Sequence, residues 1–262
     1  MRTVSSRDGT PIAYWRSGDG PPLVLVHGGT ADHTTTWRSV RADLDRRFTT
    51  FAMDRRGRGG SGDSPAYDLQ REAEDVAAVV DSIGGPVSVL GHSLGGLVAI
   101  EACLLTPNLR RLIVYESVYL RGADNYAPGL IDRLEAMLAA GDVEGMLVAV
   151  FRELVGMPPD DIELLRAQED AWAVRLSNAP TLPRELRADS SYEFEPERFA
   201  NMRTPVLFLV GGDSPHRELE NARRIAAALP DARVAVLPGQ QHVAMHTAPV
   251  LFVREIVRFL EG

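Results

Sequence analysis

Short apolar segments alternate with helical patterns over the first 116 residues and again near the C-terminus. The clearest of these segments are Leu23–Val26, Thr49–Met53, Val87–Leu90, Leu112–Tyr115 and Pro205–Val210. A strand that is apolar on both faces belongs to a parallel sheet covered by helices on both sides. The alternation therefore predicts an α/β protein, with a mostly parallel central sheet and helices on both of its faces.

Residues 118–200 differ from the chain on either side, because they contain helical patterns and prolines but no convincing strand. The patterns cover Leu130–Ala140, Val143–Val155 and Ile162–Leu176. Ligands of parallel sheets bind at the carboxyl ends of the strands, where such an insert would form a lid. We predict a core from residues 1–117 and 201–262, with residues 118–200 as a helical cap inserted in it.

Charge and composition exclude several classes of function. The net charge of −8 argues against a nucleic-acid partner, since phosphate binding needs a basic face. All 28 basic residues are arginine, so the chain has neither a Schiff-base lysine nor a P-loop lysine. No metal, nucleotide or flavin motif is present, and we expect no cofactor.

The chain also lacks the signals of export and membrane insertion. It contains no run of about 18 apolar residues, and its first residues lack the apolar stretch of a secretory signal. With Cys103 as the one cysteine, an internal disulfide is impossible. We expect a cytoplasmic protein that does not bind membranes, and its Ala, Arg and Asp content is typical of a GC-rich bacterial genome.

A glycine-rich turn follows the apolar segment Val87–Leu90 and precedes the helical pattern Ser93–Leu105. The turn reads Gly91-His92-Ser93-Leu94-Gly95, which is G-x-S-x-G in the strand-to-helix context typical of an exposed nucleophile. The glycines leave room beside the turn, and the helix N-terminus favours negative charge. We predict that Ser93 is a catalytic nucleophile; the alternative is a serine that only caps the helix.

Four segments together resemble the α/β-hydrolase superfamily, and the resemblance extends over nearly the whole chain. They are the turn at Ser93, His27-Gly28-Gly29, the D-x-R-G-x-G-x-S loop at Asp54–Ser61, and the G-x-x-H segment Gly239–His242. The resemblance implies the α/β-hydrolase fold, with catalytic residues in the chain order serine, acid, histidine. It also implies that the backbone N–H groups of Gly29 and Leu94 form the oxyanion hole.

A serine hydroxyl is a poor nucleophile at neutral pH, so a neutral imidazole must accept its proton. His242 follows a predicted strand in a glycine-containing loop, and we predict that it is this general base. His246 lies four residues further on. Because no H-E-x-x-H glutamate accompanies the pair, we predict no metal site.

Two acidic residues could orient His242, and both follow a predicted strand. Asp213 comes after Pro205–Val210, where most members of the resembled family carry their acid. Glu116 directly follows Leu112–Tyr115, where a minority carry a glutamate. A carboxylate at the end of an apolar strand is costly unless it is paired, and a histidine partner would explain it. We favour Glu116 and keep Asp213 as the alternative.

A serine at the turn disfavours the dehalogenases and epoxide hydrolases that resemble this fold, because they use aspartate there. We predict a serine hydrolase that cleaves an ester or lactone of a mainly apolar small molecule through an acyl-enzyme on Ser93. In the cap, Tyr119 and Trp172 are the expected substrate contacts. Hydrolysis of C–C bonds, perhydrolysis, lyase chemistry and non-catalytic ligand binding remain alternatives on the same fold.

Overall fold

The computed structural model of the protein describes residues 1–117 and 119–262. Eight strands form its sheet: β1 (Arg2–Ser5), β2 (Pro11–Ser17), β3 (Pro22–Val26), β4 (Thr49–Met53), β5 (Val87–His92), β6 (Leu109–Tyr115), β7 (Val206–Gly211) and β8 (Ala232–Leu237). Their order across the sheet is β1-β2-β4-β3-β5-β6-β7-β8. β2 is antiparallel to both of its neighbours, and all other pairs are parallel. The predicted fold class is confirmed.

Twelve α-helices surround the sheet in the described residues. They are α1 (Arg41–Asp45), α2 (Leu69–Ile83), α3 (Leu94–Ala102), α4 (Leu130–Ala139), α5 (Val143–Ala149), α6 (Pro159–Arg166), α7 (Glu169–Asn178), α8 (Leu182–Ser190), α9 (Pro196–Phe199), α10 (His216–Ala228), α11 (Ala244–Thr247) and α12 (Pro249–Glu261). A π-helical turn (Val150–Val155) follows α5, and 3₁₀ turns cover Gly122–Asn125 and Ala179–Thr181. No helix of residues 1–117 or 119–262 is long and apolar enough to cross a membrane.

The central strands supply two hydrophobic cores, one on each face of the sheet. In β3, Val24 and Val26 belong to the core that contains residues of α2 and α3, whereas Leu23 and Leu25 belong to the core that contains residues of α12. Successive side chains of a strand point to opposite faces. A strand buried on both faces must therefore be apolar at every position, which is the pattern the sequence shows.

Residues 119–200, between β6 and β7, contain α4 to α9, and we call them the cap segment. Within these residues the one β-bridge joins Arg121 to Glu193. The predicted helix Ile162–Leu176 is in fact two helices, α6 and α7, and none of the predicted helices covers α8. Pro183 lies in the first turn of α8, where a missing N–H costs nothing, so this proline marks a helix start.

Buried ion pairs fasten the cap segment to the loop after β4. Arg55 donates hydrogen bonds to Glu72 of α2 at 2.5 and 2.7 Å and to Glu185 of α8 at 3.0 Å. Arg58 also pairs with Glu185. Arg56 is bound by Asp75 of α2. The arginines of the D-x-R-G-x-G-x-S loop are therefore structural, and two of them hold the cap segment in place.

Candidate active site

Three residues other than glycine have a positive φ in the described chain: Thr30 at 60°, Ser93 at 52° and Glu116 at 54°. All three line one cavity, at the carboxyl ends of β3, β5 and β6. A side chain in such a conformation costs roughly 1–3 kcal/mol, and strain of this kind clusters at functional sites. The backbone alone therefore marks this cavity as a candidate active site.

Ser93 stands on a turn whose glycines are required by close packing. A Cβ atom on Gly91 would lie 2.5 Å from the carbonyl oxygen of Gly95, and one on Gly28 would lie 2.9 Å from Cβ of Ser93. The Ser93 N–H donates to the carbonyl of Tyr115 at 2.9 Å, which ties the turn to the end of β6. The sequence pattern G-x-S-x-G thus reflects a crowded turn that leaves the serine facing the cavity.

His242 also lines the cavity, in the loop between β8 and α11. Its Nδ1 lies 3.5 Å from Oε2 of Glu116. The other carboxylate oxygen, Oε1, accepts hydrogen bonds from the Gly211 N–H at 2.6 Å and from Ser214 Oγ at 2.7 Å. These two bonds fix the carboxylate, so that it can orient the imidazole and stabilise its protonated form.

Asp213 lies apart from this group. Its side chain is exposed, and it is not one of the residues that line the cavity. Its backbone N–H donates to the carbonyl of Gln240 at 3.0 Å. Of the two acids considered from the sequence, the structure brings Glu116 and not Asp213 to His242.

Two further residues, whose role the sequence did not reveal, hold the loop of His242. The ring of His92 donates from Nε2 to the carbonyl oxygen of His242 at 2.9 Å, and the two rings lie 4.7 Å apart. Tyr115 donates its hydroxyl to Gln241 and accepts the Ala244 N–H at 3.1 Å. Burial and the nearby His242 lower the pKa of His92 well below its usual range, so His92 is neutral. The residue beside the serine thus positions the histidine loop.

In residues 1–117 and 119–262, Ser93 Oγ and the His242 ring do not form a direct hydrogen bond. Such contacts are often long before substrate binds and then shorten. Both side chains line the cavity, and Ser93 directly follows His92. The structure therefore brings the serine hydroxyl and the imidazole to one cavity.

The loop after β3 passes beside Ser93. Gly29 lines the cavity together with Leu94, which is the first residue of α3. The first N–H groups of a helix have no partner within it and favour negative charge. The loop itself is held by Asn178 of α7, whose side chain donates to the carbonyls of Thr30 and Ala31 at 3.2 and 3.3 Å. Gly29 and Leu94 thus both line the cavity that contains Ser93, and their role as an oxyanion hole stays a prediction.

His27 belongs to the framework of this loop. Its Nδ1–H donates to the Gly28 carbonyl at 2.8 Å, and its Nε2 accepts the Arg55 N–H at 3.0 Å. Burial lowers the pKa of His27 well below its usual range, so the ring is neutral. It joins the loop after β3 to the loop after β4.

The cap segment supplies most of the apolar lining of the cavity. Its contribution includes Phe151, Leu154, Val155, Met157, Leu182 and Leu186. Tyr119 lines the cavity as expected, but Trp172 does not. Trp172 instead packs against Phe151 with ring centroids 6.2 Å apart and donates its Nε1–H to Glu144. The structure therefore removes Trp172 from the set of side chains that contact the cavity.

The cap segment also places Asp189 against the cavity. Burial raises the pKa of Asp189 to about 8, although the hydroxyls of Tyr119 and Tyr126 both donate to it. No sequence pattern points to this group, because an aspartate in a helical pattern is usually exposed.

Three possible metal ligands, Asp32, His33 and Asp54, have donor atoms within 4.8 Å of one another. These atoms already bond to the protein. His33 Nδ1 is 2.9 Å from Asp54 Oδ1, and Gly60 donates its N–H to Asp54 Oδ2 at 2.8 Å. Asp32 Oδ1 accepts the Thr34 N–H at 2.9 Å. Their hydrogen bonds organise the adjoining loops, and we assign no metal to them.

Comparison with known proteins agrees with the fold. The sequence model of the alpha/beta hydrolase family matches residues 23–255. A 2-(acetamidomethylene)succinate hydrolase from Mesorhizobium japonicum is 26% identical, over 94% of this chain and 90% of that protein. An alpha/beta hydrolase from Sphaerobacter thermophilus is 36% identical with a TM-score of 0.80, over 95% of this chain and 98% of its own.

A third relative is named as an esterase. The esterase RhEst1 from Rhodococcus sp. ECU1013 is 26% identical to this chain with a TM-score of 0.75. The match covers 100% of this chain and 98% of the esterase. Taken with the family match over residues 23–255, these relatives show that the chain belongs to the alpha/beta hydrolase family and is a hydrolase.

Proposed function

We propose that this hydrolase cleaves a carboxylic ester or lactone through an acyl-enzyme on Ser93. The observation that carries the proposal is the pairing of His242 Nδ1 with Glu116 Oε2 at 3.5 Å, in a cavity that Ser93 also lines. A buried acid, an imidazole and a serine on a strained turn are the parts that acyl transfer needs.

In the proposed mechanism, Nε2 of His242 accepts the hydroxyl proton as Ser93 Oγ attacks the substrate carbonyl. The oxyanion that forms accepts hydrogen bonds from the N–H groups of Gly29 and Leu94. Glu116 stabilises the imidazolium, which then gives its proton to the leaving alcohol. Water attacks the acyl-enzyme with His242 again as the base, and this step releases the acid and restores Ser93.

The lining of the cavity supports a small and mainly apolar substrate. The cavity volume is about 130 Å³, which favours a small substrate. Phe151, Met157 and Leu186 offer apolar contact, and Tyr119 adds a hydroxyl at the wall. The esterase among the relatives supports the choice of an ester over other hydrolysable bonds.

Turnover of p-nitrophenyl acetate and butyrate tests the proposal directly. Ser93→Ala should lower kcat by about 10⁴-fold or more, because it removes the nucleophile. Ser191→Ala, an exposed serine of the cap segment, is the matched control and should keep full activity. A fluorophosphonate should label the wild type and Ser191→Ala but not Ser93→Ala.

The same experiment can refute the proposal. Equal turnover by Ser93→Ala and the wild type would rule out an acyl-enzyme on this residue. If neither ester nor γ-valerolactone is cleaved, while product analysis shows cleavage of a C–C bond or elimination, the proposed bond class is wrong.

A further inference from the structure

Arg175 is a buried cation at the wall of the cavity that holds Ser93. It lies on α7, is 7% exposed and lines that cavity. Within residues 1–117 and 119–262, its guanidinium forms no hydrogen bond and no ion pair within 4 Å. The three other buried arginines differ: Arg55 and Arg58 contact the carboxylate of Glu185, and Arg56 contacts that of Asp75.

An unpaired charge of this kind is costly to bury. Burial lowers the pKa of Arg175 to about 10, so the guanidinium stays protonated at neutral pH. Asp32 offsets part of the cost through space. Its Oδ1, however, already accepts bonds from Thr34 and Thr35. A cation kept at this cost, and facing a cavity, indicates an anion that arrives with the ligand.

The position of Arg175 places it near the reacting groups. Residues three apart share a face of a helix, and Asn178, three residues further along α7, is bonded to the loop that follows Gly29. The charge of Arg175 also contributes to the lowered pKa of both His92 and His246. His92 lies next to Ser93, and His246 lies four residues after His242. Arg175, Gly29 and His242 all line this one cavity.

We propose that Arg175 binds a carboxylate carried by the substrate, so that the preferred substrate is an ester or lactone with one negative charge away from the scissile bond. This inference rests on the proposed function. The planar guanidinium offers two parallel N–H donors that match a carboxylate. One cation balances a single charge. A phosphate, with a charge of about −1.5 to −2, would leave excess negative charge in the cavity that Glu116 also lines.

Two methyl esters of nearly equal shape test whether the enzyme recognises a distant negative charge. One is monomethyl adipate, whose far end is a carboxylate, and the other is methyl 5-carbamoylpentanoate, whose far end is a neutral primary amide. The wild type should show a kcat/KM at least tenfold higher for the carboxylate ester. Arg175→Met should lower kcat/KM for that ester by roughly 10- to 100-fold, the range for a hydrogen bond to a charged group. It should change kcat/KM for the amide less than threefold.

Two further variants make the comparison specific. Arg175→Lys keeps the charge but loses the planar fork, so it should recover part of the preference for the carboxylate ester. Arg152→Met removes an exposed arginine of the same cap segment that does not line the cavity. It should leave kcat/KM unchanged for both esters. Since Arg175→Met removes a buried charge, it should also raise Tm, which shows that the variant is folded.

Several outcomes would overturn the inference while leaving the proposed function intact. One is equal kcat/KM of the wild type for both esters. Another is an equal loss for both in Arg175→Met, which would make Arg175 part of the oxyanion site instead. If neither ester is cleaved, calorimetric titration of Ser93→Ala with monomethyl adipate tests the anion site by binding alone, without catalysis. Binding that is lost in Ser93→Ala/Arg175→Met supports the anion site, and no binding rejects it.

Discussion

The loops at the strand ends and the cap segment are built on different physical grounds. In the loops, backbone strain and glycine contacts position Ser93 and Glu116, and few alternatives would fit. In the cap segment, the distinguishing features are buried charges on helices. Glu185 is fully paired to the core, whereas Arg175 is not paired within the described residues. The difference teaches that backbone shape fixes the position of the candidate catalytic residues, whereas the substrate preference that we propose depends on single side chains of the cap segment.

The largest expected effect concerns the strand-end loops. Glu116→Gln should lower kcat for p-nitrophenyl butyrate by up to about 10⁴-fold, because the amide cannot stabilise the imidazolium. Asp213→Asn, on an exposed residue of the neighbouring strand end, should stay within about twofold. Steady-state kinetics of the two variants compares them directly. A large loss in Asp213→Asn with little loss in Glu116→Gln would reverse our assignment of the acid.

The next effect concerns the junction between the two regions. Glu185→Gln removes a carboxylate that contacts both Arg55 and Arg58, and it leaves Arg58 without its ion pair. Breaking a buried pair on one side costs about 3–5 kcal/mol in the free energy of unfolding. Urea denaturation measures this change. Glu193→Gln, whose partner Arg121 lies 3.5 Å away at an exposed site, is the control and should cost less than about 1 kcal/mol. A small effect of Glu185→Gln would show that the cap segment is held by other contacts.

Within the cap segment, Asp189 should make stability depend on pH. Its pKa is about 8 in the folded protein against 3.8 for the ordinary side chain, so between these values only the folded state keeps the proton. Rising pH therefore destabilises the wild type through this residue, by at most about 1.4 kcal/mol per pH unit. An amide does not titrate, so Asp189→Asn should gain stability relative to the wild type between pH 5 and 7. Unfolding curves at several pH values would show no such trend if Asp189 were ionised in the native state.

The smallest effect is expected at the surface of the cap segment. Arg38 donates to Asp170 with both contacts at 2.9 Å, and the Asp170 carboxylate is exposed. Exposed ion pairs contribute about 0–1 kcal/mol, so Asp170→Asn should shift the urea midpoint very little. Added salt should shrink the difference further. A loss as large as that of Glu185→Gln would mean that the two regions do not differ in the way we describe.

The sequence predicts the loops far better than it predicts the cap segment. Uninterrupted apolar strands and the glycines around Ser93 follow from local packing, so their patterns are readable in the chain. The sequence leaves the acid open because β6 and β7 are neighbouring parallel strands, which bring Glu116 and Asp213 to the same edge of the sheet. In the cap segment, periodicity shows that Trp172 and Arg175 lie on a helix but not what each faces. Only the three-dimensional arrangement separates the packed indole from the cation at the cavity wall.

The hydrogen bonds from Asn178 to the carbonyls of Thr30 and Ala31 limit how this enzyme can be rebuilt. Helix α7 carries Arg175 and, through Asn178, also braces the loop that contains Gly29. A foreign cap grafted onto this sheet would bring its own specificity but would leave that loop unsupported. Replacing the cap segment to change the substrate should therefore succeed only when the new helix brings an equivalent amide to the carbonyls of Thr30 and Ala31.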